Sequence, residues 1–135
     1  ENVLSKKTKS IEKIARSIQN MEKKTLNKRI KNYKNKIKNL IEDFDETRLD
    51  QEVAMLALKH DISEELDRIF FHTKTINEEL TKKISSGKKI DFILQELFRE
   101  SNTLAVKIDD SKLKNYALDM KLLIEEMREQ TQNVE

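Results

Sequence analysis

The sequence has no cysteine, no proline and no tryptophan, and it contains a single glycine, Gly87. Without cysteine, a disulfide framework and a thiolate metal site are both excluded. With no proline and one glycine, the chain has few of the residues that turns at short intervals require, while 39% of its residues are charged. Long solvated helices fit this composition better than a sheet does, and we therefore predict an all-α fold.

Apolar residues make up 36% of the chain, which is enough for one elongated core but not for the closed cavity of a compact enzyme domain. Any active site should therefore be open or shared between chains. The apolar runs are too short to span a membrane, and the opening residues ENVLSKKTKS lack the apolar core of a signal peptide. We expect a soluble, cytoplasmic protein with no membrane partner, and we expect Glu1 to mark a piece of a longer chain.

The net charge is only +2, but it is unevenly distributed. Residues 1–44 contain 13 Lys and Arg against 5 acidic residues, whereas residues 45–135 contain 14 against 20. A basic arm ahead of an acidic body can contact polyanions, although a solvated helix face is the commoner explanation for such charges. Charge patterning alone leaves both interpretations open.

Apolar spacing predicts the helices. Leu4, Ile11 and Ile18 recur every seven residues, and a second apolar series from Leu26 to Phe44 is shifted in phase, which indicates a coiled-coil-like arm of one long helix or two abutting helices. Further helices are predicted over 50–83, 89–107 and 112–133, with turns at 85–87 and 108–111. We predict an elongated antiparallel bundle of about four helices, two of them long, divided into a basic arm at 1–48 and a second unit at 49–135.

Three of these predicted helices carry ionisable or amide side chains in lines at helical spacing. The line on 50–83 consists of Asp61, Glu65, Arg68 and His72, with Glu64 beside it. The helix over 89–107 carries Glu96, Glu100, Thr103 and Lys107 on one edge, and Asp91, Gln95 and Asn102 on the other. The line on 112–133 consists of Lys121, Glu125, Arg128 and Gln132, with Glu129 beside it.

Such lines commonly form surface ion pairs worth about 0.3 to 0.5 kcal/mol each, so a solvated surface is the simplest explanation. As a site, carboxylates with one imidazole and no thiol would suit Mg²⁺ or Mn²⁺, which serve in phosphodiester hydrolysis, and the interspersed Arg and Lys would hold phosphate oxygens. The sequence contains no P-loop, no metalloprotease HExxH motif and no evident nucleophile arrangement with Ser or Cys. Helical spacing alone does not show whether these side chains form a solvated surface or a functional site.

Three stretches carry a resemblance to a known family: DISEELDRIFFH at 61–72, GKKIDFILQELFRESNTLAVK at 87–107 and LKNYALDMKLLIEEMREQTQNVE at 113–135. They resemble the C-terminal domain of the YicC-like family of bacterial proteins, whose patterns read approximately DISEELxRxxxH, GRKLDFLxQELNRExNTxxSK and ELKxxIExxREQxQNIE. The resemblance is strong over 49–135, and residues 1–48 are similar to the family's variable central helices. Phe98 departs from the pattern where the family usually has Asn, and Val106 departs where it has Ser.

The resemblance implies a stress-linked, metal-dependent endoribonuclease with RNA as substrate, Mg²⁺ or Mn²⁺ as cofactor, a homo-oligomeric assembly and an N-terminal domain that this chain lacks. It implies Glu65, His72, Glu96 and Glu100 as metal ligands or as positioners of a metal-bound water. Further catalytic candidates are Asp61, Glu125 and Glu129. Phosphate binding is implied for Arg68, Arg99, Lys107, Lys121 and Arg128, with supporting roles for Glu64, Asp91, Gln95, Asn102, Thr103 and Gln132.

Two alternatives stay open. Within the enzyme class, His72 could act as a general base on the 2′-hydroxyl of the RNA, without metal-activated water. Outside it, the helices could form a non-catalytic oligomerisation and RNA-docking module or an adaptor, in which basic residues 6–38 make sequence-independent phosphate contacts.

Overall fold

A computed structural model of the chain describes residues 2–40, 45–59, 61–84 and 86–134. These residues form five helices and no strand: α1 (Asn2–Leu40), α2 (Glu46–Lys59), α3 (Ser63–Leu80), α4 (Gly87–Lys107) and α5 (Ser111–Val134). The all-α prediction is confirmed. Phe44 and Ser85, which the sequence places in an apolar series and a turn, lie outside the described residues.

Four of the five helices build the bundle. α1, α3, α4 and α5 form a ring in which each helix packs against two neighbours, and α2 packs mainly against α1. Short connections make α3, α4 and α5 successively antiparallel. α1 is antiparallel to α5 because Lys7 pairs with Glu126 at 2.8 Å near one end while Arg29 pairs with Asp109 at the other. The predicted antiparallel bundle of about four helices is confirmed.

The core is built from one apolar stripe on each bundle helix. α1 contributes Ile11, Ala15 and Ile18, all fully buried, and the stripes of the other helices contribute Ile62, Leu66, Ile69, Ile76, Ile90, Ile93, Leu94, Leu97, Leu104, Ile108, Leu113, Ala117, Met120, Ile124 and Met127. The second apolar series of α1 is only half-buried at Leu26 and Ile30, although the helix continues unbroken through the phase shift. The first half of α1 is therefore integral to the bundle. The proposed division at 48/49 remains a prediction.

The single helix predicted over 50–83 is instead two helices, α2 and α3. The carboxylate of Asp61 accepts hydrogen bonds from the backbone N of Ser63 at 3.0 Å and from its Oγ at 2.7 Å. This local bonding competes with continued helical bonding and starts a new helix at Ser63. Apolar periodicity missed the break because Ile62 and Leu66 lie in register with the stripe that follows.

The connection from α3 to α4 is fixed by a buried carboxylate. Glu79 accepts a hydrogen bond from the backbone N of Ser86 at 3.0 Å, and it pairs with Lys82 at 3.1 Å and Lys89 at 3.3 Å. The Ser86 hydrogen bond and then the lysines hold the pKa of Glu79 at about 2. None of the helices in the described ranges is long and apolar enough to cross a membrane.

Candidate active site

Two of the three predicted lines meet where α3 packs against α4. Arg68 Nε of α3 lies 2.9 Å from Glu100 Oε2 of α4, and Lys107 Nζ of α4 lies 3.0 Å from Glu65 Oε2 of α3. The lines come together because each flanks the apolar stripe that docks its helix, so antiparallel packing places the two edges side by side. We call this group the α3–α4 cluster; it consists of Glu64, Glu65, Arg68, His72, Glu96, Arg99, Glu100 and Lys107.

The carboxylates in this cluster are unusually buried for a highly charged chain. Glu65 is 3% exposed and Glu100 is 8% exposed. Arg68 connects them, because its guanidinium also lies 3.6 Å from Glu65 Oε2, and its bond to Glu100 raises the pKa of the guanidinium. Within the described residues, Glu65 Oε1 is buried and has no hydrogen-bond partner. The interface therefore holds an unsatisfied acceptor beside a half-exposed cation.

His72 lies at the same interface, and its surroundings favour the neutral imidazole. Burial lowers the pKa of its imidazole below 6.5, and Arg68 acts in the same direction, whereas Glu100 and Glu96 oppose the shift. Its ring also makes an edge contact with Phe71, with centroids 5.7 Å apart. A neutral imidazole close to two carboxylates can accept a proton at neutral pH.

The arrangement of a single chain does not by itself fit a metal ion. In the described parts of the chain, no three His, Asp or Glu side chains are grouped so that they could hold one. The free Oε1 of Glu65 is one oxygen ligand, but Glu65 Oε2 and the Glu100 carboxylate are already paired with Arg68 and Lys107. The proposed ligand set of Glu65, His72, Glu96 and Glu100 stays a prediction.

Two residues of the third line, Lys121 and Arg128, contact α4. Arg128 Nε of α5 is 3.6 Å from Asp91 Oδ1, and both atoms are buried without a hydrogen-bond partner among the described residues. Lys121 lies over the ring of Phe98, 5.6 Å from its centroid. This ring explains why the departure to Phe is tolerated: it packs against the core and also faces a cation.

An open groove of about 570 Å³ runs over α4 between its two edges. It is lined by Gln95, Glu96, Phe98, Arg99, Asn102, Thr103 and Arg128. Thr103 and Asn102 are half-buried here, and Arg99 is exposed with its guanidinium 3.9 Å from Glu96. The groove therefore brings residues from two of the three lines to one surface.

Several residues that the sequence predicts as site residues lie outside the α3–α4 cluster or have an evident structural role. Glu125, Glu129 and Gln132 are exposed on α5, and no ion pair or hydrogen bond joins them to the α3–α4 cluster within the described residues. Glu64 is exposed and lies 3.7 Å from Arg68. The Asp61 side chain caps α3, and its backbone carbonyl accepts a hydrogen bond from Lys107 at 3.2 Å.

Two features escaped sequence reasoning. Glu79 lies three residues after Ile76 on the apolar stripe, and this position was the available signal that it is buried. Arg16 of α1 lies over the ring of Phe70 at 5.2 Å, in an open groove of about 440 Å³ between α1 and α3. That contact depends on how α1 docks, which no local pattern encodes.

Comparison with known proteins identifies the family of this chain. Residues 11–135 match the family described as Endoribonuclease YicC-like, C-terminal, and the chain belongs to that family. The chain is 46% identical over 93 residues to Probable endoribonuclease YicC of Haemophilus influenzae, covering 69% of this chain and 32% of that protein. It is 36% identical over 137 residues to Probable endoribonuclease YicC of Clostridioides difficile, covering 99% of this chain and 44% of that protein.

The resemblance seen in the sequence is thus confirmed, and the matched region includes most of α1. The chain spans less than half the length of these two curated relatives.

Proposed function

We propose that this chain carries the reaction surface of an endoribonuclease and that RNA is cleaved at the α3–α4 cluster. The observation that supports the proposal most directly is the meeting of two predicted lines at one interface, with two buried carboxylates and a neutral imidazole. Glu65 and Glu100 are too buried to be ordinary surface ion pairs, and their partners Arg68 and Lys107 are cations of the kind that bind phosphate.

The side chains of the cluster suggest a division of labour. His72 takes the proton of the attacking 2′-hydroxyl, and the leaving 5′-oxygen takes a proton from water. Arg68 and Lys107 stabilise the charge that develops on the phosphate, while Glu65 and Glu100 hold those two cations in place. This route yields a 2′,3′-cyclic phosphate and a 5′-hydroxyl end.

The proposal also includes a divalent cation, Mg²⁺ or Mn²⁺. The α3–α4 cluster contains four carboxylates but only three cationic side chains when His72 is neutral, so it is net negative. RNA brings further negative charge to such a surface, and a hard divalent ion, if bound there, would supply positive charge against that repulsion. The free Oε1 of Glu65 is the ligand of this chain best placed to contribute.

End-labelled RNA tests the proposal. The purified chain should cleave it in Mn²⁺ or Mg²⁺, and H72Q should slow cleavage about 100-fold or more if the imidazole is the base. Cyclic phosphate ends support attack by the 2′-hydroxyl, and their formation in excess chelator removes the divalent ion from the proposal. By contrast, 5′-phosphate ends that vanish with chelator overturn the His72 route in favour of metal-assisted hydrolysis. If the chain binds RNA but cleaves none under any of these conditions, the non-catalytic docking alternative replaces the proposal.

A further inference from the structure

The second half of α1 presents an exposed row of lysines. Between residues 23 and 38 the chain has eight Lys or Arg residues and no Asp or Glu. Two of the eight, Arg29 and Lys34, are half-buried and pair with Asp109 and Asp50. The other six are exposed and form no ion pair with any described residue: Lys23, Lys24, Lys28, Lys31, Lys36 and Lys38.

Four of these lysines lie on one line of the helix surface. Lys24, Lys28, Lys31 and Lys38 fall at i, i+4, i+7 and i+14, with Asn35 at i+11. The line lies opposite the half-buried apolar residues of this segment, so it points away from the packed side of α1. At 1.5 Å per residue it is about 21 Å long, which is enough for contacts to several successive phosphates of one strand. We call these four residues the lysine face.

The α3–α4 cluster needs a separate source of affinity for RNA. Its carboxylates outnumber its cations, and both Arg68 and Lys107 are already bonded to carboxylates. Such a surface attracts a polyanion poorly, whereas the lysine face adds four uncompensated charges. The packed side of the same α1 segment reaches the cluster, because Glu22 and Arg29 line a small cavity together with Lys107. A strand bound on the lysine face must therefore pass around α1 to reach the α3–α4 cluster.

We infer that the lysine face binds the phosphate backbone of single-stranded RNA and holds a strand whose scissile bond lies at the α3–α4 cluster. The inference rests on the proposed function for its choice of polyanion. The four lysines contact phosphates as point charges, so binding is independent of sequence and strongly dependent on salt. No aromatic side chain interrupts the line, which argues for backbone contacts and against base stacking.

The test uses the whole chain with lysine-to-glutamine changes, because glutamine keeps helix propensity while removing charge. K24Q/K28Q/K31Q/K38Q removes the lysine face. K9Q/K13Q/K74Q/K83Q removes the same charge from four exposed lysines elsewhere, none of which forms an ion pair with a described residue. Binding to a fluorescent 20-nucleotide RNA is measured by anisotropy with excess chelator, from 50 to 200 mM salt.

The four-lysine variant should bind about tenfold or more weakly at 50 mM salt, and its log–log salt slope should be shallower by about 3, since each lost single-strand contact contributes roughly 0.7. The control variant should keep the parent's affinity and slope. Equal binding by the two variants overturns the inference but leaves the proposed function standing. If the parent binds no RNA, RNA is the wrong ligand and the inference is overturned. The same conclusion follows if these lysines bind only anionic phosphatidylserine vesicles.

A cleavage assay distinguishes failure of the inference from failure of the proposed function. At saturating RNA, the four-lysine variant should retain the parent's single-turnover rate, because the chemistry lies at the α3–α4 cluster. A rate loss that saturation does not restore would place the lysines in the reaction step and would contradict a docking role. A parent that binds RNA through these lysines but never cleaves it would overturn the proposed function alone.

Discussion

Burial gives individual charged residues in this chain their different roles. Glu65, Glu79 and Glu100 are all nearly inaccessible, and both Glu65 and Glu79 have a buried Oε1 without a hydrogen-bond partner among the described residues. They differ in their ion pairs, because Lys82 and Lys89 lie 3.1 and 3.3 Å from Glu79 Oε1, whereas Arg68 and Lys107 pair with Glu65 through its Oε2. A carboxylate whose oxygens are all paired stabilises the fold, and one with an unpaired buried oxygen is a candidate for chemistry.

Glu79 should make stability depend on pH. Its pKa of about 2 lies below its ordinary value of 4.5, so its stabilisation is complete above pH 4.5 and is lost as pH falls through 2. We expect E79Q to lower the free energy of unfolding at pH 6, and the gap from the parent to close near pH 2. Urea unfolding between pH 6 and pH 2 measures the difference in unfolding free energy between E79Q and the parent. E78Q, at an exposed position, is the control. A gap that stays constant down to pH 2.5 would contradict the assignment.

Asp61 allows capping and catalysis to be distinguished. D61A should cost about 1 kcal/mol in unfolding free energy because α3 loses its capping acceptor, whereas D61N keeps an oxygen in the same place. We expect D61N to retain both stability and RNA cleavage. If D61N abolishes cleavage in a chain of unchanged stability, the carboxylate charge takes part in the reaction.

For individual residues, the sequence predicted which side chains flank the apolar stripes, but it did not predict how far each one is buried. Glu100 was predicted on a helix edge, and it is buried because α3 covers that edge and Arg68 reaches it. Burial of an edge residue depends on its neighbour in space, which a single helix pattern does not specify.

At the level of elements, α1 combines two helical halves of different character. Its first half supplies fully buried core residues, and its second half is at most half-buried and carries the lysine face. The seven-residue apolar repeat predicted the first half correctly. The break between α2 and α3 was not predicted, because the hydrogen bonds from Ser63 to Asp61 leave no trace in apolar spacing.

The packing of α1 gives a direct stability prediction. I18A should lower the unfolding free energy by about 2 to 5 kcal/mol because Ile18 is fully buried in the shared core. I37A, at a half-buried position of the same helix, should cost about 1 kcal/mol. Chemical denaturation of both variants measures the difference. Equal, small losses would show that α1 does not belong to the bundle core.

In the whole molecule, the basic and acidic parts of the sequence lie on different surfaces. The packed side of the basic second half of α1 reaches the acidic α3–α4 cluster near Lys107, so the RNA docking and RNA cleavage proposed above fall to different surfaces of one bundle. Composition predicted the charge asymmetry. The meeting of two charged lines required the antiparallel packing of α3 on α4, and the family resemblance supplied the choice of RNA.

The central claim is that the charged residues on the α3–α4 cluster, and not those on the outer face of α5, carry out RNA cleavage. Two double variants with equal charge change, E96Q/E100Q and E125Q/E129Q, test it through the single-turnover cleavage rate of labelled RNA, with helicity checked by circular dichroism. E96Q/E100Q should lose about 100-fold or more of the rate because Glu100 no longer holds Arg68 in place at the phosphate, and E125Q/E129Q should match the parent. Loss of cleavage in E125Q/E129Q together with full activity in E96Q/E100Q would contradict the account.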